Sequence, residues 1–139
     1  MKDLMNVIDV KRVISPVSVS DNTAQAGQAV DRKGYDGVTY IIATGSIADA
    51  DATFTVLLEE SDASGSGYTA VSDDDLIGTE VLAAFQFDDD NECRKLGYKG
   101  SKRYTRLTIT PVANASAAVL AAVAVLSSPQ IAPTANPPA

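Results

Sequence analysis

The amino-acid sequence predicts an all-β fold, an antiparallel β-sandwich or barrel in a single domain. Three observations predict it. Residues 53–59 and 102–110 alternate with period two and are rich in Thr, Tyr, Phe, Val, Leu and Ile, the pattern of strands with one buried face. Clusters of Gly, Asp and Ser interrupt the chain at short intervals, as turns do. There is no long amphipathic helical pattern and no internal repeat, which leaves sheets as the only way to build a core.

Taken in order, the spacing of Val13, Ser15, Val17 and Val19 predicts a first strand, with Pro16 at an edge or bulge. The residues before it, including Lys11 and Arg12, read as an extended arm. A polar stretch over 21–34 follows, in which Ala29-Val30-Asp31 can pair briefly. Tyr35-Asp36-Gly37 is a turn leading into Val38–Gly45, so apolar that it predicts a central strand. In the next strand, 52–60, Phe54, Val56 and Leu58 share one face. The loop Ser61–Gly67 then returns through Tyr68–Val71 as a hairpin.

Asp73-Asp74-Asp75 opens Leu76-Ile77-Gly78 as one helical turn with an acidic start. For Thr79–Phe87 a helix competes with a strand facing inward through Val81, Ala83, Phe85 and Phe87. Asp88–Asn91 is a loop. Ala117–Leu126 would be a helix by alanine propensity, yet in this context it predicts a buried strand. Val119, Ala121, Val123 and Val125 would lie on one of its faces. Pro129, Pro133, Pro137 and Pro138 make the last segment an extended tail that is either disordered or laid on a neighbour. The chain thus divides into an arm with the first strand (1–20), a sandwich (21–126) and a Pro-rich tail (127–139).

Composition narrows the function. At 139 residues the chain supports one core, and no apolar run approaches the ~20 residues a membrane helix needs. No signal peptide is recognisable in Met1–Asn6, which predicts synthesis in the cytoplasm. The single cysteine, Cys93, excludes an internal disulfide and reads as a small, half-buried strand residue. The chain has no histidine, so the commonest general base and the Ser-His and Cys-His pairs are missing, and no Gly-rich phosphate loop occurs. The reading is a non-enzymatic protein with no cofactor. Asp73–Asp75 and Asp88–Glu92 are rich in oxygen ligands but lack the spacing of a Ca²⁺ loop, so they read as solvated acidic loops.

One stretch departs from the net charge of -7. Leu96–Pro111 and the two residues before it hold six of the eleven basic side chains: Arg94, Lys95, Lys99, Lys102, Arg103 and Arg106. Gly97 and Gly100 bracket a turn, and from Lys102 a strand runs to Pro111, with Arg103, Thr105, Leu107 and Ile109 on one face. Lys99, Lys102, Arg103, Tyr104 and Arg106 are the candidate interaction residues. Three explanations fit: a sheet edge protected by its charges, docking on an acidic face of a sister subunit or shell, or nucleic-acid binding with Tyr98 and Tyr104 as stacking platforms. The last is disfavoured by the acidic balance of the chain.

The run Gly97–Arg106, with Gly34–Tyr40 and Leu57–Gly65 upstream in the same order, resembles small structural proteins of tailed-phage head modules. The likeness extends from about Ala26 to the end of the chain. It implies a virion-associated β-protein, assembled in the host cytoplasm, and most readily a capsid decoration (cement) protein. The implied partners are the major capsid protein or other virion proteins and further copies of the same chain, as in a trimer, rather than nucleic acid or membrane. A head–tail joining, tail-associated or fibre-anchoring protein is the alternative within the virion. A carbohydrate-binding β-sandwich is the alternative outside it, although no Trp is present to stack on sugar rings.

Overall fold

The β-branched and aromatic segments pair into two antiparallel sheets in the computed structural model, which describes residues 2–138. Met1 and Ala139, the outermost residues of the expected arm and tail, lie outside the described residues. In chain order the strands are β1 (Ile8–Val19), β2 (Gln25–Ala26), β3 (Val30–Asp31), β4 (Tyr35–Ile47), β5 (Thr53–Ser61), β6 (Thr69–Ala70) and β7 (Leu76–Ile77). A one-turn helix, α1 (Glu80–Ala83), precedes β8 (Phe85–Gln86), β9 (Cys93–Tyr98), β10 (Tyr104–Val112) and β11 (Ala118–Pro129). One sheet runs β1-β11-β4-β9-β7. The other runs β2-β10-β5-β6, with β3 added on β10 and β8 on β5.

The core lies between the sheets, where alternate residues of each long strand meet. Tyr40, Ile42, Phe54, Leu58, Leu107, Ile109, Leu120 and Leu126 are all fully buried. Phe54 and Phe85 stack with ring centroids 4.7 Å apart. A polar pair inside the core is satisfied: the Tyr40 hydroxyl and Thr105 Oγ1 lie 2.6 Å apart.

Several expectations change. The segment holding Lys11 and Arg12 is no free arm. It pairs with β11 from Ile8 to Val19, interrupted by irregularities around Ile14 and Pro16 where the proline expectation had placed a bulge. The tail starts later, after Pro129, and lies on its own chain: Thr134 N–H donates to Asn6 O at 2.9 Å and its hydroxyl to Ile8 O at 2.5 Å. The helical turn covers Asp73–Asp75 only, because Leu76 is drawn into the sheet opposite the buried Tyr98. Thr79–Phe87 is both helix and strand: Thr79 Oγ1 caps α1 by accepting from Leu82 N–H at 3.1 Å, and Phe85 then pairs with Phe54. Ala83 and Phe85 do face inward, but Val81 and Phe87 do not.

Gly97 belongs to β9 and not to a turn, and β10 continues through Pro111. Leu107 O accepts from Gly27 on the β2 side, so Leu107, Ile109 and Pro111 direct their backbone groups that way. Pairing with β2 ends at Ile109, so the missing N–H of Pro111 leaves no ladder bond unmade. β11 is a strand despite its alanines, because Ala118, Ala122 and Ala124 fit under the opposing sheet while Leu120 and Leu126 fill the gaps. Its other face is only half covered, with Val119 40% exposed. Cys93 is exposed as well, since it occupies an outward position on β9.

Candidate interaction surfaces

The basic strand sits in the interior of its sheet. β10 is flanked by β5 along its whole length and by β2 and β3 on the other side, so it is not a protected edge. Its cations find partners across these pairings. Arg103 forms a two-point contact with Asp31, Nε to Oδ1 at 2.9 Å and Nη2 to Oδ2 at 2.8 Å. Arg106 reaches Glu59 Oε1 at 2.9 Å and lies 4.1 Å over the Tyr68 ring, while Lys102 Nζ meets Asp62 at 2.6 Å. Tyr104 carries the Arg103 guanidinium 5.0 Å above its ring. Each of the ion pairs joins β10 or its preceding loop to a loop or strand far away in sequence.

The loop before β10 is fastened from below. Tyr98 donates to Glu60 Oε2 at 2.6 Å and accepts Lys102 N–H at 3.0 Å. Arg32 donates to Gly100 O at 2.9 Å and to Lys102 O, with its guanidinium 5.5 Å from the Tyr98 ring centroid. Gly100 passes so close to Tyr98 that a Cβ there would lie 2.5 Å from the phenol oxygen, which is why no larger residue fits. These contacts shift titrations in the direction expected. The Arg103 hydrogen bond holds Asp31 below the usual carboxylate range, and Asp62 holds Lys102 above that of a free lysine. Burial, and then the bond to Glu60, push the Tyr98 phenol far up.

Of the five candidate residues, the structure therefore brings Lys102, Arg103, Tyr104 and Arg106 into intramolecular contacts. Lys99 is exposed and, among the described residues, has no side-chain partner. The acidic loop 88–91 is likewise occupied: Asp90 accepts Ile47 N–H, while Asp89 accepts Gln86 N–H and pairs with Arg94. Among the described residues no group of three or more His, Cys, Asp or Glu is placed to hold a metal ion.

Two surfaces that the residue types do not advertise remain open. The outward face of the β1-β11-β4-β9-β7 sheet presents Val10, Val125 and Thr39 in one row, and Arg12, Val123, Ile41 and Lys95 in the next. Gly45 and Gly97 leave room for Val119 and Ile77 to lie across them. Its only charged outward positions on the paired strands are Arg12 and Lys95, both basic. The second surface is α1, where Val81 and Leu82 are 83% and 74% exposed. A polar cleft of about 550 Å³ also opens beside β1 and β3, lined by Asp9, Lys11, Arg12, Gln28, Asp31 and Tyr35 among others.

These features define a single-domain antiparallel β-sandwich with one largely uncharged outward face. No protein-family model matches the chain, and no curated protein matches it. Among solved structures, the PBSX exported protein XepA shares the fold with a TM-score of 0.58 at 14% identity, over 94% of this chain and 40% of that one. The chain thus spans less than half the length of XepA. The CBM22-1–GH10 modules of Clostridium thermocellum xylanase 10B align with a TM-score of 0.46 at 12% identity, over 95% of this chain and 28% of that one.

Proposed function

We propose that this protein is a non-enzymatic structural component of a bacteriophage virion that works by binding other proteins, most specifically as a capsid decoration protein on the head shell. The observation that carries the binding role is the outward face of the five-stranded sheet, which is aliphatic and nearly free of charge, as the centres of protein-contact surfaces are. The resemblance of Gly97–Arg106, Gly34–Tyr40 and Leu57–Gly65 to phage head-module proteins supplies the virion, and the fold supplies neither partner nor position. The physical effect would be added buried interface across capsomer junctions, which stabilises the shell because the bound state is populated only when the shell is intact. Self-association would multiply weak contacts through avidity.

Light scattering of the purified protein with and without empty heads of the parent phage tests this. Saturable binding at a copy number comparable to the shell subunits is the expected result. Binding of only a few copies would move the protein to a vertex, portal or tail joint. Absence of binding would remove it from the head. A carbohydrate-binding role is the second reading, favoured by the polar cleft beside Tyr35; glycan-array binding that Tyr35→Ala abolishes would establish it instead.

A further inference from the structure

We infer that the aliphatic sheet face is an interface for a second copy of this chain, and that the Val81–Leu82 turn of that copy is what it receives. The contact is head to tail, knob on face. It deepens the protein-binding reading above, but it concerns the free protein and does not depend on a capsid.

The two surfaces match in chemistry. Apart from Ile131 in the tail, Val81 and Leu82 are the most exposed large aliphatic side chains among the described residues. Solvent does nothing for them, and no local contact explains their choice. Val81 lines one cleft with Asp73 and another with Asp89; Asp89 is held by Arg94, so the acids beside the knob that stand exposed for a partner are Asp73 and Asp74. The receiving face has the opposite rim. Arg12 and Lys95 occupy the same register row, with Val123 and Ile41 between them. Three strand spacings separate the two cations, roughly 14 Å, enough to seat a helical turn about 10 Å across. Apolar centre meets apolar centre, and acids meet bases at the rim.

The same charges argue against the face packing on a second identical face. A two-fold pairing would set Arg12 and Lys95 of one copy against Arg12 and Lys95 of the other, with no carboxylate on either surface. A knob-on-face contact is heterologous, so repetition closes a ring or extends a chain of copies. One such contact is small. It should be weak alone and cooperative once a ring closes.

The test needs two variants and their mixture. Leu82→Asp removes the knob at a solvent-facing site and keeps the face; Val123→Asp spoils the face and keeps the knob. Wild type should gain mass with concentration in light scattering, and added salt should weaken that gain. Leu82→Asp should lower the association constant about tenfold or more. Mixing the two variants should give a one-to-one heterodimer that grows no further, because each supplies the surface the other lacks. Cys93 lies on the receiving face, so its alkylation rate in wild type should fall as concentration rises and stay constant in Leu82→Asp. A wild-type protein that is monomeric at every concentration overturns the proposal, as does self-association that Leu82→Asp leaves unchanged or a mixture that forms no heterodimer. If Val123→Asp fails to fold, a second face variant, Arg12→Glu with Lys95→Glu, takes its place in the mixture.

Discussion

β10 and β11 invert what their residues advertise. β10 and its preceding loop hold the densest charge in the chain, yet Lys102, Arg103 and Arg106 all meet carboxylates of the same molecule. β11 carries no charge, yet its Val119, Val123 and Val125 face outward on a sheet face against which the described residues pack only beside Ile8 and Val10. The difference is one of saturation. A cation is satisfied by one well-placed acid from a nearby loop, whereas a row of valines is covered only by another surface. A conspicuous charge run can therefore be internal mortar, and a bland aliphatic run the contact surface.

The comparison is broken most forcefully in the cores of the two strands. Leu107→Ala on β10 should cost about 3 kcal/mol in chemical denaturation, while Val123→Ala on the outer face of β11 should cost under about 1 kcal/mol. Equal losses would mean that the outer face of β11 is packed as tightly as the core. Next in size is Gly100→Ala, which drives a Cβ into the Tyr98 phenol and should cost about 1–3 kcal/mol, read from the thermal midpoint.

Smaller still are the ion pairs. Arg106→Met loses both Glu59 and the Tyr68 ring and should cost about 1 kcal/mol, while Lys99→Ala should stay within about 0.5 kcal/mol of wild type. A large effect of Lys99→Ala would show that the loop before β10 depends on a contact absent from this structure. The smallest effect is at low pH. Asp31 titrates below its unfolded value of 3.8 because Arg103 holds it ionised. The stability it adds is therefore present above pH 3.8 and lost as pH falls through the depressed value. Both partners are nearly half exposed, so the contribution is well under 1 kcal/mol. Acid titration of Arg103→Ala should lack that component and converge with wild type at the acid end.

The fold was legible where periodicity is strong. The alternation of Phe54, Val56 and Leu58, and that of Thr105, Leu107 and Ile109, placed two strands and their buried faces correctly. Short elements were less legible, because Leu76 and Phe85 take strand geometry only through partners distant in sequence, Tyr98 and Phe54. The candidate site misled for a related reason. That Asp31, Glu59 and Asp62 would stand beside Arg103, Arg106 and Lys102 follows from the pairing of β3 and β5 with β10, which residue types alone do not reveal. The outer face had a signal: Val38–Ala43 and Ala117–Leu126 are apolar on both alternating sets, as strands covered on both sides are. Among the described residues, one of those covers reaches no further than Ile8 and Val10.

Thr134 holds the segments at Asn6 and Ile8, so the polypeptide is almost a closed loop. A short linker from Thr134 to Asn6 would complete the circle, and the exposed turn at Ala63–Gly65 offers a place to open it elsewhere. Rewired in this way, the sandwich would keep both sheets while presenting new ends at the Glu60–Asp62 side.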